Sequence, residues 1–385
     1  MNCSAKVVLF VIGAGLMSLP CHADVGKCDD LNRRCVALYS RGEYAAAERA
    51  ATEAVELAER TLGADHPVLA KSLANLAATL LVQAKYTQAE PIMKRALAID
   101  TKNFGDVHNR VASDLNGLAE VYQAQGKYPE AKPLYRRAIQ IYEKTADDPY
   151  NHAVTMNNLA QLFLKEGKYA DAMPLYEKAR QMATETVGEG HTFVATTLNN
   201  QGICYAKQRK YALAEPLYKR ALQIRQQQLG PNHPLVGDSN NNLGELCSAW
   251  GRFAEAETYY SQALTIYKKA YGEKHPALAT VLNNIAQTYR FQGKLADAEP
   301  LYCRARDILR ETCGQRHPSL IPILHNLGLL YQSQERYPEA EAAYEEALEI
   351  IQSRVPSHAD RSTILRDYAT LCRKTGKKPP AEEVK

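Results

Sequence analysis

The chain repeats itself with a period near 42 residues, and this constrains its fold more than any other feature: the segment from His233-Pro234 to Gly272 recurs as His275-Pro276 to Gly314. A chain built from copies of one short unit folds as an array in which each copy packs on the next. One column of the repeat is alanine in every copy, at Ala47, Ala89, Ala131, Ala172, Ala214, Ala256, Ala298 and Ala340. A second is alanine at 54, 96, 138, 179, 221, 263, 305 and 347. Small residues seven apart share one helix face and allow a neighbouring helix to approach closely. Histidines at 66, 108, 152, 191, 233, 275, 317 and 358 are spaced by 42, 44, 39, 42, 42, 42 and 41, and read as a third column.

Each period divides into two helical patterns joined by a tight turn. Leu198 to Tyr205 carries apolar residues at helical spacing, a turn follows around Arg209-Lys210, and Tyr211 to Tyr218 opens the second helix. Glycine three residues before most of the histidines, at 63, 105, 188, 230, 272 and 314, suits a left-handed residue closing the second helix. Pro67, Pro234, Pro276 and Pro318 suit the first position of the next helix. Prolines 91, 133, 174, 216 and 300 fall within the opening turn of the second helix, where a missing N–H costs little.

Composition is that of a globular protein, 45% hydrophobic and 23% charged, and the net charge of +4 is too small to imply a nucleic-acid or anionic-membrane partner. The first residues are set apart. Lys6 is followed by an apolar run of 13 residues, Val7 to Leu19, and then by Pro20-Cys21-His22-Ala23. That pattern reads as a secretory signal peptide, residues 1–23, cut after Ala23 and too short to span a bilayer. The product is expected to be exported, to the bacterial periplasm or beyond, with no membrane insertion after cleavage. Its cysteines are Cys28, Cys35, Cys204, Cys247, Cys303, Cys313 and Cys372. Several occupy columns that are apolar elsewhere, which favours buried free thiols; pairing of Cys28 with Cys35 or Cys303 with Cys313 is the alternative.

The motifs Leu-Asn-Asn-Leu-Ala, Gly-Lys-Tyr, Ala-Glu-Pro-Leu-Tyr, Arg-Ala-Leu and Leu-Gly-x-x-His-Pro resemble the tetratricopeptide repeat family, in its kinesin-light-chain type, from about Leu31 to Leu371. The resemblance implies an all-α fold: an α-solenoid, coiled as a right-handed superhelix, of about eight helix pairs with a C-terminal capping helix. It would occupy residues 24–374 as one repeat domain, with a disordered tail at 375–385. Departures lie at Arg34-Cys35, at Gly117, and between Thr145 and Asn151, where the Leu-Gly pair is missing.

In such a solenoid the first helix of each pair lines the concave face. The asparagines fall there: Asn75, Asn116, Asn157, Asn158, Asn199, Asn200, Asn241, Asn242, Asn283, Asn284 and Asn326. An amide both donates and accepts, so a row of them can hold a peptide backbone, or instead tie neighbouring helices together. Lys165, Lys207 and Arg290 lie one turn further along, among Glu120, Gln161, Glu245 and Gln287, and would add cationic contacts for an acidic ligand or serve as solvated charges. The histidines belong to successive units about 10 Å apart and cannot converge on a metal; their expected role is at turns and helix caps. Glu90, Glu215, Glu257, Glu299 and Glu341 are one repeated column, not a catalytic pair. No cofactor or nucleotide motif is present. The expectation is a non-catalytic scaffold that binds a peptide or partner protein in the groove, with a secreted effector imitating a eukaryotic adaptor as the second reading.

Overall fold

The computed structural model describes residues 22–354 and 360–378. The apolar leader, His358 and the end of the tail lie outside the described residues. The chain divides into two compact units, one ending at Cys204 and one beginning at Tyr205.

The first unit contains α1 (His22–Ser40), α2 (Tyr44–Leu62), α3 (Pro67–Val82), α4 (Tyr86–Phe104), α5 (Asn109–Ala124), α6 (Tyr128–Thr145), α7 (Pro149–Lys165), α8 (Tyr169–Val187) and most of α9 (Thr192–Lys207). The second holds α10 (Tyr211–Leu229), α11 (Pro234–Ala249), α12 (Phe253–Tyr271), α13 (Pro276–Phe291), α14 (Leu295–Cys313), α15 (Ile321–Ser333), α16 (Tyr337–Arg354) and α17 (Arg361–Thr375). A short 3-10 turn, Pro318–Leu320, leads into α15. The described residues contain helices and turns and no strand, as the periodicity predicts.

Both alanine columns are fully buried, from Ala47 to Ala340 and from Ala54 to Ala347. Each even-numbered helix thereby presents a smooth stripe to the odd-numbered helices beside it. A row of tyrosines four residues after the first column, Tyr135, Tyr176, Tyr260, Tyr302 and Tyr344 among them, fills the space between. In each unit the odd-numbered helices also touch one another, α1 with α3, α3 with α5 and α5 with α7, then α11 with α13, α13 with α15 and α15 with α17. Even-numbered helices make no contact of that extent with each other among the described residues. The odd-numbered helices are therefore the inner row of each unit.

The turn chemistry refines the sequence reading at four places. The glycines closing the even-numbered helices, such as Gly63 (φ 91°, ψ 168°) and Gly272 (φ 82°, ψ 179°), are not in the left-handed helical region but in the extended region at positive φ, which only glycine enters readily. The left-handed cap sits instead at the turn within each pair: Lys85 N–H reaches the carbonyl of Leu80 at 2.9 Å and Arg252 N–H that of Cys247 at 2.8 Å, around a residue with positive φ. That residue is glycine at 42, 126, 167, 251 and 293, but Ala84, Arg209 and Glu335 in the remaining turns. Pro91, Pro133, Pro174, Pro216 and Pro300 stand six residues into their helices, past the opening turn, so each removes an interior hydrogen bond.

The histidine column is real at six positions and broken at one. The Nδ1 atoms of His66, His108, His191, His233, His275 and His317 each accept from the backbone N–H two residues on, at 3.1–3.2 Å. His152 does not belong to this column. It lies inside α7, buried and stacked on Tyr142, and Asp148 caps the helix by accepting from Asn151 N–H at 3.1 Å. The uneven spacings of 44 and 39 record this substitution of caps.

None of the seven described cysteines forms a disulfide, and Cys28, Cys35, Cys204, Cys247 and Cys372 are buried. Burial drives the thiols of Cys35 and Cys247 up to about 11 and that of Cys204 to about 12, so they remain protonated. The alternative pairings fail on geometry. Cys28 and Cys35 share α1 and Cys303 and Cys313 share α14. At about 1.5 Å rise per residue, seven or more residues of helix hold the Cα atoms beyond the roughly 7 Å limit for a disulfide.

Candidate functional site: the inner row of helices

The asparagines on the inner helices form ladders that run from repeat to repeat. In the first unit, Asn75 Nδ2 donates to Asn32 Oδ1 at 2.9 Å, and Asn32 Nδ2 donates to Ser72 Oγ at 2.9 Å. Asn158 Nδ2 donates to Asn116 Oδ1 at 3.1 Å and to Glu120 Oε1 at 2.7 Å, while Asn116 Nδ2 donates to the same carboxylate oxygen at 2.7 Å. Asn200 Nδ2 donates to Asn157 Oδ1 at 3.2 Å. The second unit repeats the arrangement: Asn284 Nδ2 donates to Asn241 Oδ1 at 3.0 Å and to Glu245 Oε1 at 2.8 Å, and Asn326 Nδ2 donates to Asn283 Oδ1 at 2.9 Å. The row ends on His325, whose Nε2 lies 2.8 Å from Asp367 Oδ2 on α17.

The rule is simple. Within each unit the second asparagine donates back to the first position of the preceding repeat, as Asn158, Asn200, Asn284 and Asn326 do, which explains why these residues come in pairs. Asn75, Asn116, Asn157, Asn199, Asn200, Asn241, Asn284 and Asn326 are buried. Asn158, Asn242 and Asn283 are half-buried. Lys165, Lys207 and Glu245 are exposed, and Gln161, Gln287 and Arg290 are half-buried. Arg290 lies over the Phe291 ring at 5.0 Å. The inner row thus combines an amide ladder with a more accessible strip one turn further along. Burial raises the Glu120 carboxyl to about 7, against the lowering by its two amide donors, whereas Asn241 and Asn284 hold the exposed Glu245.

A second ladder, which the sequence reading did not see, ties the outer helices to the next turn. Glu48 meets Lys85, Glu90 meets Lys127, Glu215 meets Arg252, Glu299 meets Arg336 and Glu341 meets Lys377. The glutamate column set aside as non-catalytic is thus an inter-repeat ion-pair column, and Glu90 is held down at about 2 chiefly by its bonds to Lys94 and Gln125. At one junction the charges are exchanged: Lys132 stands in the glutamate column and pairs at 2.9 Å with Glu166, which replaces a glutamine. Paired departures of this kind are the signal by which sequence alone could have found the contact.

One junction is poorly satisfied. Asp100 on α4 and Asp114 on α5 are 3% and 4% exposed, and each has a carboxylate oxygen with no hydrogen-bond partner. The nearest cation to Asp100 is Arg110 at 3.8 Å. Burial raises Asp100 to about 6 and Asp114 well above the ordinary carboxylate range. Other repeats place Ser72, Thr155, Thr197 or Ser239 where Asp114 stands, each hydroxyl donating to the carbonyl four residues back. Replacing Asp114 by Ser is expected to stabilise the protein by about 1–3 kcal/mol at pH 8. An acid whose folded pKa is raised loses stability as pH rises, so the gain should shrink toward pH 4, as urea denaturation at the two pH values would show.

Among the described residues no helix is long and apolar enough to cross a membrane, and no group of three or more His, Cys, Asp or Glu is placed to hold a metal ion.

Stacked helix pairs, capped by histidine and laced by columns of side-chain bonds, define an all-α repeat protein. The tetratricopeptide repeat profile matches residues 31–102, 69–144, 110–185, 151–221, 193–269, 251–311 and 319–384, and the chain belongs to that family. No curated protein sequence matches it. Among solved structures, the apo form of the quorum sensor NprR from B. thuringiensis is 16% identical, with a TM-score of 0.65 over 84% of this chain and 87% of that one. A Rap protein complexed with Competence and Sporulation Factor is 14% identical, with a TM-score of 0.59 over 91% and 99%. A putative kinesin light chain from Podosopora anserina with nearly identical TPR-like repeats is 22% identical over 54% of this chain and 99% of that one, with a TM-score of 0.45. The likeness to the first two is one of fold.

Proposed function

We propose that the protein is a non-catalytic scaffold that binds a peptide or a segment of a partner protein along its inner helices, outside the cytoplasm after removal of residues 1–23. The observation that carries this reading is the strip beside the amide ladder. On the inner helices Lys165, Lys207 and Glu245 are exposed and Gln161, Gln287 and Arg290 half-buried. Asn158 in the first unit and Asn242 and Asn283 in the second are half-buried and would contribute the amide contacts. The fully buried asparagines would then act through the ladder, holding the helices at the spacing the ligand meets. One neighbour of related fold was solved in complex with Competence and Sporulation Factor, which supports reading this chain as a binding protein.

The test is binding of a randomised peptide library to the mature chain, followed by anisotropy on the selected peptide. Lys165→Glu and Lys207→Glu should each weaken binding about tenfold while leaving the circular dichroism unchanged. Selection of no peptide, or affinity indifferent to both changes, would count against the inner row as the site. Amino-terminal sequencing of the exported protein should begin at Asp24.

A further inference from the structure

One edge of the second unit departs from its own repeat. At the turn within each pair, Gln83, Gln125 and Gln292 occupy one column and reach back to the preceding repeat: Gln83 Nε2 donates to Glu48 Oε2 at 2.8 Å, Gln125 to Glu90 Oε2 at 3.0 Å and Gln292 to Glu257 Oε1 at 3.3 Å. In the same column the sixth repeat carries Trp250, the single tryptophan of the chain. Its ring is 39% exposed, 6.0 Å from that of Tyr211 and covered on one side by the Arg252 guanidinium at 5.0 Å. Leu213, 52% exposed, lies in the first turn of α10 beside Tyr211, and Phe291, 54% exposed, ends α13 at the following turn, where Arg290 covers it as Arg252 covers Trp250.

The preceding turn departs in a second way. Its positive-φ position, glycine in most turns, is Arg209 with φ 59°, a conformation costing an L-residue about 1–2 kcal/mol. Beside it Lys210 occupies the column that elsewhere pairs with glutamate, but the repeat before carries Met173 in the glutamate column. Arg209 and Lys210 are exposed and have no carboxylate partner among the described residues. An inter-repeat bond, a turn glycine and an ion pair have each given way to exposed aromatic or cationic surface at adjacent turns.

We infer that this edge, built from Arg209, Lys210, Tyr211, Leu213, Trp250 and Phe291, docks an acidic protein segment carrying an aromatic or aliphatic anchor. Aromatic rings flanked by arginines are the side chains that dominate interface energetics, and uncommitted cations steer an acidic partner to them. A nucleic-acid strand fits less well. It would need cations repeating from turn to turn, whereas Arg252 is held by Glu215 and Glu255 and Arg336 by Glu299 and Glu339. Phe291 ends α13 in the repeat column of Lys207, but Arg209, Lys210, Tyr211, Leu213 and Trp250 lie outside the strip proposed above, and variants at Arg209 and Trp250 test this surface separately from it.

Because Trp250 is the only tryptophan, its emission reads the edge directly. A synthetic peptide alternating Asp and Glu around one Tyr and one Leu should shift that emission saturably, more weakly at high salt. A peptide with Lys and Arg in place of the acids, and a thymidine oligonucleotide, should not. Two variants return a turn to the residue its column usually holds, so folding is preserved: Trp250→Gln and Arg209→Gly. Each should weaken binding of the labelled acidic peptide about tenfold by anisotropy. Absence of a saturable shift, equal response to the basic peptide or the oligonucleotide, or undiminished affinity in both variants would overturn the inference.

Discussion

Lowering the pH from 7.5 to 5 should cost the folded protein about 5 kcal/mol of helix capping, at roughly 1 kcal/mol per cap, offset in part by protonation of the buried Asp100, Asp114 and Glu120. Six histidines cap their helices through Nδ1, which can accept an N–H only while unprotonated. Burial lowers the pKa of His66, His108, His191, His275 and His317 below the ordinary 6.5. A base with a depressed folded pKa contributes stability that is complete above 6.5 and is lost as pH falls through the folded value. Protonation also places a positive charge at the positive end of a helix. The loss should therefore spread over both units. Urea denaturation at several pH values would check this, with the double variant His66→Asn and His275→Asn as control. Asparagine caps without titrating, so that variant should lose less stability across the same interval. Equal loss in parent and variant would show that other groups dominate acid unfolding.

Replacing Ala263 by Leu should cost about 3 kcal/mol, or prevent the sixth repeat from closing. Ala263 is completely buried in the same cluster as Tyr260 and Tyr267, so three added carbons have no volume to enter. Ala254, on the same helix but exposed, provides the comparison: its replacement by Leu should change stability by no more than about 0.5 kcal/mol. A similar cost at both positions would mean that helix propensity rather than close approach explains the alanine column.

These two effects involve features that repetition made legible. An alanine in every copy can only be a position of close approach, and a histidine before a proline at a helix start can only cap. What could not be read was any feature whose meaning depends on a partner in the next copy. The asparagine pair left two readings open, groove contact or helix tie, because nothing in one repeat says where an amide points. The structure shows Asn158, Asn200, Asn284 and Asn326 each donating to the preceding repeat. The ion pair of Lys132 with Glu166 was legible in principle, since two columns break together, but one residue alone shows only a charge out of place. His152 was misassigned because identity outweighed spacing, and Asp100 with Asp114 was invisible because either acid would be ordinary on a surface.

Within each unit the asparagine row couples one repeat to the next, and the ligand contact proposed above falls to the strip beside it. A double-mutant cycle on Asn241 and Asn284, each changed to Ala singly and together, tests it most directly by urea denaturation. Because Asn284 Nδ2 bonds Asn241 Oδ1 at 3.0 Å within a buried network, the two losses should be coupled by about 1 kcal/mol, the double variant losing less than the sum. Losses that simply add would contradict the account, because the two amides would then be independent and the ladder would not be what holds the inner helices together.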